Sequence, residues 1–130
     1  MGTPEFACGI LNQLLQEDIE IALVVSQPDK KVGRQQLLRA TPVKELAVKN
    51  NLNVFQPDSI KTDFQPVLDA NLDLIVTCAY GQFIPDEVLN APKLGCINVH
   101  ASLLPKYRGG APIHKAIIEG ESKTGITIVK

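Results

Sequence analysis

In the run Ile97-Asn98-Val99-His100 an amide and an imidazole stand two residues apart. In an extended strand such residues share a face, separated by roughly 6.5 to 7 Å. An amide offers two N–H donors and does not titrate near neutral pH, so it can hold an oxygen that gains negative charge. An imidazole titrates near neutrality and can donate to the same oxygen or move a proton. Together the two suit acyl transfer. At the carboxyl end of a parallel strand they would face the crevice where open α/β sheets bind ligands. The pair alone fits equally well two satisfied polar groups at a strand end. Ser102, Leu103, Leu104 and Pro105 follow at once. Such a mostly apolar turn, with exposed backbone donors and acceptors, is able to seat a flat ring and is equally an ordinary connector.

The elements that must position this pair are legible in outline. Gly2-Thr3-Pro4-Glu5 has the grammar of a turn into a helix, with Thr3 as cap and Pro4 in the first turn. Phe6, Ile10, Leu11, Leu14 and Leu15 then mark one helix face that ends near Glu17. Residues 19–25 form a near-continuous aliphatic run, as expected of a parallel strand covered on both sides. Periodicity disappears over residues 26–41, which read as one long mobile loop. Thr41 caps and Pro42 opens a short helix carrying Val43, Leu46 and Ala47. A strand at 53–55, a helix over 63–70, a buried strand at 72–78 and a short helix over 85–90 follow. Residues 96–100 read as a strand, 111–119 as a helix and 125–129 as a strand. This alternation implies an α/β fold, a doubly wound and mostly parallel sheet with helices on both faces.

With 130 residues, 45% of them hydrophobic, the chain has material for one core and one domain. No apolar run is long enough to cross a bilayer, and no basic segment precedes an apolar block near Met1, so a cytoplasmic chain without membrane contact is expected. Cys8, Cys78 and Cys96 are odd in number, far apart and set in apolar surroundings, and read as reduced, buried, small hydrophobes. The net charge of -1 argues against a chain that coats nucleic acid. Its distribution is uneven, because Lys30, Lys31, Arg34, Arg39, Lys44 and Lys49 face a single acid, Glu45, between positions 30 and 49. No G-x-G-x-x-G follows a strand, which sets a nicotinamide-binding reading aside. His114, Tyr80 and Tyr107 have packing or surface roles on their own spacing.

The stretch "NVHASLLPKYRGGAP" resembles the signature of the 10-formyltetrahydrofolate-dependent formyltransferases. The likeness extends through "MGTPEF", "QPDKKVGR", "AYGQFIP" and "TGITI". The long loop and "RGGAPIHKAI" are similar to the branch that formylates methionine on initiator tRNA in translation initiation. The resemblance implies a Rossmann-like formyltransferase fold, with Asn98 and His100 as two members of an Asn-His-Asp catalytic set. It implies folate contacts at Ser102, Leu103, Leu104 and Pro105, and a pteridine pocket lined by Tyr80, Gly81, Gln82 and Phe83. It makes Lys30, Lys31, Arg34 and Arg39 the tRNA contacts, with 10-formyltetrahydrofolate as formyl donor, no metal, initiator methionyl-tRNA as partner and a monomeric full-length enzyme. Acceptors of another kind, a glycinamide ribonucleotide or an amino-sugar nucleotide, remain open, as does a folate-binding module without turnover. The family's catalytic aspartate, its C-terminal barrel and its first, central strand have no counterpart in residues 1–130. The chain is therefore expected to be a partial catalytic domain, inactive by itself, with a hydrophobic gap in its sheet.

Overall fold

The computed structural model describes residues 1–100 and, for the backbone alone, residues 127–129. Helix α1 (Glu5–Gln16) is followed by β1 (Val24–Val25), an antiparallel hairpin of β2 (Lys30–Val32) and β3 (Leu37–Arg39), and α2 (Pro42–Lys49). Then come β4 (Val54–Phe55), α3 (Gln65–Asp69), β5 (Ile75–Thr77), α4 (Asp86–Leu89), β6 (Cys96–His100) and β7 (Thr127–Val129). β1 pairs with β4 and β5 with β6, both in parallel, whereas β7 runs antiparallel to β6.

Met1 and Gly2 stitch the two ladders together. Gly2 N donates to Val25 O at 2.9 Å, Met1 N to Val76 O at 2.7 Å, and Cys78 N to Met1 O at 2.9 Å. The resulting order is β4, β1, Met1-Gly2, β5, β6, β7, parallel wherever the bridges define it except at β7. Below Met1, toward the amino ends of β1 and β5, lies a cavity of about 430 Å³ lined by Leu14, Ile21, Leu23, Ile75 and Val76 among others. The cavity separates β1 from β5 below Met1, where the sequence leads one to expect a hydrophobic gap in the sheet.

Two clusters of buried side chains flank the sheet. Ala7, Cys8 and Leu11 of α1 and Val43 and Ala47 of α2 pack with Val24, Cys78 and Val99 on one face. Val67 of α3 and Val88 of α4 pack with Val25, Ile60, Ile75 and Tyr80 on the other. Neighbouring residues of a strand thus serve opposite layers, Val24 one and Val25 the other, as the pleat requires. The doubly wound expectation holds.

Local differences have physical causes. Residues 19–23 carry the expected aliphatic run, yet the ladder covers Val24 and Val25 only, because the earlier residues border the cavity instead of a partner. Thr41 caps α2 as read, its hydroxyl accepting from Lys44 N at 3.1 Å. Thr3 does not cap α1, whose first turn is preceded by Pro4 without a side-chain bond. Its hydroxyl instead donates to Tyr80 O at 2.6 Å, tying the opening turn to the loop after β5. Residues 26–41 are not one loop, since β2 and β3 pair across a turn with positive φ at Gly33 (74°) and Gln36 (53°). The three cysteines are free, with Cys8 and Cys78 buried. No helix among the described residues is long and apolar enough to cross a membrane. The expected helix over 111–119 lies outside the described residues.

Two glycines predict opposite outcomes. A methyl on Gly2 would sit 2.7 Å from Ala7 Cβ and 2.9 Å from the Cys78 carbonyl oxygen, so Gly2→Ala should destabilise by about 1–3 kcal/mol. Gly9, in the exposed middle of α1, has nothing within 4 Å of that position, and Gly9→Ala should stabilise by about 0.5–1 kcal/mol. Urea unfolding of both variants checks the two signs.

Candidate functional site

β5 and β6 pair with Ile75 beside Cys96, Val76 beside Ile97 and Thr77 beside Asn98. Paired residues in a parallel ladder project to the same side of the sheet, so Thr77, Asn98 and His100 share one face and Val76 and Val99 the other. Asn98 and His100 are half-buried, whereas Val99 between them is 7% exposed and packed into the α1/α2 layer. The structure therefore brings the two sequence-predicted residues together at the carboxyl end of β6. The Thr77 hydroxyl lies 2.8 Å from Asn98 Oδ1 and 3.4 Å from the Ile97 carbonyl oxygen.

The loop that leaves β5 at the same end departs from extended geometry at Ala79 (φ 52°) and Gly81 (φ 98°). Gly81 is favoured here by that angle, and a methyl on it would come within 2.8 Å of Gln27 Nε2 and push that side chain aside. Of the four residues assigned to a pteridine pocket, Tyr80 turns its ring into the core at 4% exposure, and burial pushes its phenol pKa up to about 12. Its hydroxyl has no hydrogen-bond partner among the described residues. Gln82 is spent on structure: its Oε1 accepts from Ile60 N at 2.8 Å and its Nε2 donates to Gln27 Oε1 at 2.7 Å. Phe83 stands out at 82% exposure, leaving its ring free for a flat ligand. Ser102, Leu103, Leu104 and Pro105 lie outside the described residues.

The basic hairpin rises from the same end. Lys30 stands opposite Arg39, Lys31 opposite Leu38 and Val32 opposite Leu37, and all six are exposed. Arg34, in the turn, is exposed as well. Its base is held by neutral amides and one ion pair. Gln56 Nε2 donates to Gln27 O at 3.1 Å and to Asp29 Oδ1 at 2.8 Å, while Lys44 Nζ lies 3.0 Å from Asp29 Oδ2. Ser26 and Thr41 hydroxyls share a buried bond of 2.6 Å. The Gln56 amide, and then Lys44, hold the Asp29 carboxyl below the usual carboxylate range. Lys44 is thereby occupied, and the charge presented outward is that of Lys30, Lys31, Arg34 and Arg39.

Sequence reasoning missed Thr77, Gln27 and Gln56. The signals were present. Thr77 is the one hydroxyl in the run Leu74-Ile75-Val76-Thr77-Cys78, where a buried polar group needs a partner. Gln-Pro-Asp occurs twice, at 27–29 after β1 and at 56–58 after its neighbour β4. Among the described residues no group of three or more His, Cys, Asp or Glu is arranged to hold a metal ion.

Comparison with known proteins follows the same lines. A family described as formyl transferase matches residues 1–130. Methionyl-tRNA formyltransferase of Enterococcus faecalis is 55% identical over 132 aligned positions, which cover 100% of this chain and 42% of the relative. The protein of that name from Mesoplasma florum is likewise 55% identical, over 99% of this chain and 42% of its own. The chain thus spans about two fifths of the length of the curated relatives it matches. Among solved structures, phosphoribosylglycinamide formyltransferase from Bacillus halodurans superimposes with a TM-score of 0.69 at 23% identity, covering 98% of this chain and 67% of that one. The corresponding enzyme from Anaplasma phagocytophilum gives 0.70 at 17% identity, over 98% and 60% of the two chains. At such identities the likeness is one of fold.

The Asp29 contacts carry a pH dependence with a definite sign. A carboxyl whose native pKa is depressed stabilises fully above its unfolded value, near 4, and loses that contribution as pH falls through the lower native value. Wild type should exceed Asp29→Asn in stability at pH 7, with the difference shrinking steadily as pH falls below about 4. Denaturant midpoints across that range test this, and a gap independent of pH would exclude the carboxylate charge as its origin.

Proposed function

The chain belongs to the formyl transferase family, and on that premise we propose that the whole protein transfers a formyl group from 10-formyltetrahydrofolate to the amino group of methionyl initiator tRNA. The observation that carries this reading is the shared face of Asn98 and His100 at the carboxyl end of β6. It is supported by 55% identity to proteins called methionyl-tRNA formyltransferase across all of this chain. A glycinamide ribonucleotide would make no use of the exposed Lys30, Lys31, Arg34 and Arg39, whereas a nucleic-acid phosphate backbone would.

The residues present fit a folate. Phe83 offers an exposed aromatic face beside the loop that leaves β5, and flat heterocycles stack on such rings. Gly81 lets the backbone come close, and Gln82 braces the loop from behind through Gln27 and Ile60. When bound, the folate supplies an activated formyl group on nitrogen.

This chain's own groups have three tasks. Asn98 presents amide N–H donors to the formyl oxygen, where charge accumulates as the methionyl amine attacks the carbon. His100 supplies a ring N–H donor from the same face. The hairpin draws the acceptor end of tRNA toward that face through contacts to phosphate, which position the substrate without reading its sequence.

Two measurements on the whole protein test the reading. Asn98→Ala should lower single-turnover formyl transfer by about 10²- to 10³-fold with little change in tRNA binding. Arg34→Glu with Lys30→Glu should do the reverse, weakening tRNA binding and flattening its dependence on salt while leaving the rate at saturation. Near-normal transfer by Asn98→Ala overturns the catalytic assignment, and an unchanged salt slope overturns the role of the hairpin.

A further inference from the structure

The amide of Asn98 has two orientations related by a half-turn, nearly equal in shape and opposite in polarity. In one, the N–H donors face the cleft; in the other, the carbonyl oxygen does. Only the first can stabilise an oxygen that becomes negative, because an amide oxygen aimed at it would repel it. The site therefore needs a group that tells the two ends apart.

We propose that Thr77 is a positioning residue that fixes this polarity, its hydroxyl donating to Asn98 Oδ1 and so committing both amide N–H groups to the substrate side. The proposal rests on the formyl-transfer reading for its kinetic consequence and on geometry alone for its structural one. The register of β5 on β6 sets Thr77 directly beside Asn98. The two side-chain oxygens are 2.8 Å apart, and Thr77 is 7% exposed, so water does not compete freely for its hydroxyl. An amide oxygen can only accept, hence the hydroxyl is the donor. In the flipped state Nδ2 would donate to the hydroxyl, whose proton would be left to the Ile97 carbonyl oxygen, 3.4 Å away, or to the Cys96 sulfur, both weaker partners than an amide oxygen at 2.8 Å. A threonine hydroxyl does not titrate near neutrality, so this preference persists across the working pH range.

Thr77→Val keeps the shape and removes the donor, whereas Thr77→Ser keeps the donor. In the whole protein, Thr77→Val should lower the single-turnover rate of formyl transfer about ten-fold at unchanged KM for the formyl donor. Thr77→Ser should restore most of it. Placed on Asn98→Ala, Thr77→Val should cost less than about two-fold more, because its effect runs through the amide it orients. A full additional loss in that double variant, or wild-type rates for Thr77→Val, overturns the proposal. A second measurement needs no activity. In ¹H–¹⁵N spectra the Asn98 side-chain amide should give one sharp pair of resonances in wild type and Thr77→Ser, and a broadened or doubled pair in Thr77→Val. If the whole protein transfers no formyl group, the functional reading falls, and the spectra alone decide Thr77: an unchanged Asn98 pair in Thr77→Val would sink it.

Discussion

The parallel pairing of β5 with β6 in a single register is the constraint on which the site depends. Because side chains alternate, a slip by one residue would turn Asn98 and His100 into the layer where Val99 packs against α1 and α2. An amide buried there without partners would cost about 1–3 kcal/mol. The register is enforced from both sides at once, since Ile75 must meet the α3/α4 layer while Val76 and Val99 meet the other. Two hydrophobic layers thus decide which way the face of Asn98 and His100 looks.

At the carboxyl ends, where the loops after β1, β4 and β5 come together, neutral hydrogen bonds add to burial. Thr3 holds Tyr80, Gln82 holds Gln27 and Ile60, and Gln56 holds the chain at Gln27 and Asp29. Buried networks of this kind rigidify when every member is satisfied. Being uncharged, these amides leave the local field to the residues that point outward. Lys44 with Asp29 is the ion pair that joins them, and it lies at the root of the hairpin, not at its exposed arms.

What the sequence makes legible follows from the range of the forces involved. The Thr41 cap, the strand at 96–100 and the alternation of Asn98 with Val99 are local consequences of neighbouring residues, and they stand where the pattern puts them. The hairpin within 26–41 escaped notice because its strands alternate no apolar face: Lys30, Lys31 and Val32 are all exposed, as are Leu37, Leu38 and Arg39. Thr3 reads as a cap by its position, yet its hydroxyl is claimed by Tyr80, a partner 77 residues away. Gln82 resembles a ligand contact by motif and acts as a brace by geometry. For Thr3 and Gln82 the deciding partner is distant in sequence, so no local pattern announces it. The shared face of Asn98 and His100 is legible because it follows from spacing within one strand.

The hairpin presents a tension that its ladder does not resolve. Lys30 and Arg39 are paired directly across it, and like charges in that position oppose each other. A two-stranded ribbon with no buried face is marginal on its own. Its order must therefore come from its root, where Gln27, Asp29, Gln56 and Lys44 converge. A polyanion laid along Lys30 and Arg39 would turn that repulsion into attraction, so the arrangement is better satisfied with such a partner than without one. The net charge of -1 conceals this, because screening over about 8–10 Å makes the local cluster, not the total, what an approaching phosphate senses. Held at its root and repelled along its arms, the hairpin leaves its positive charge uncompensated among the described residues.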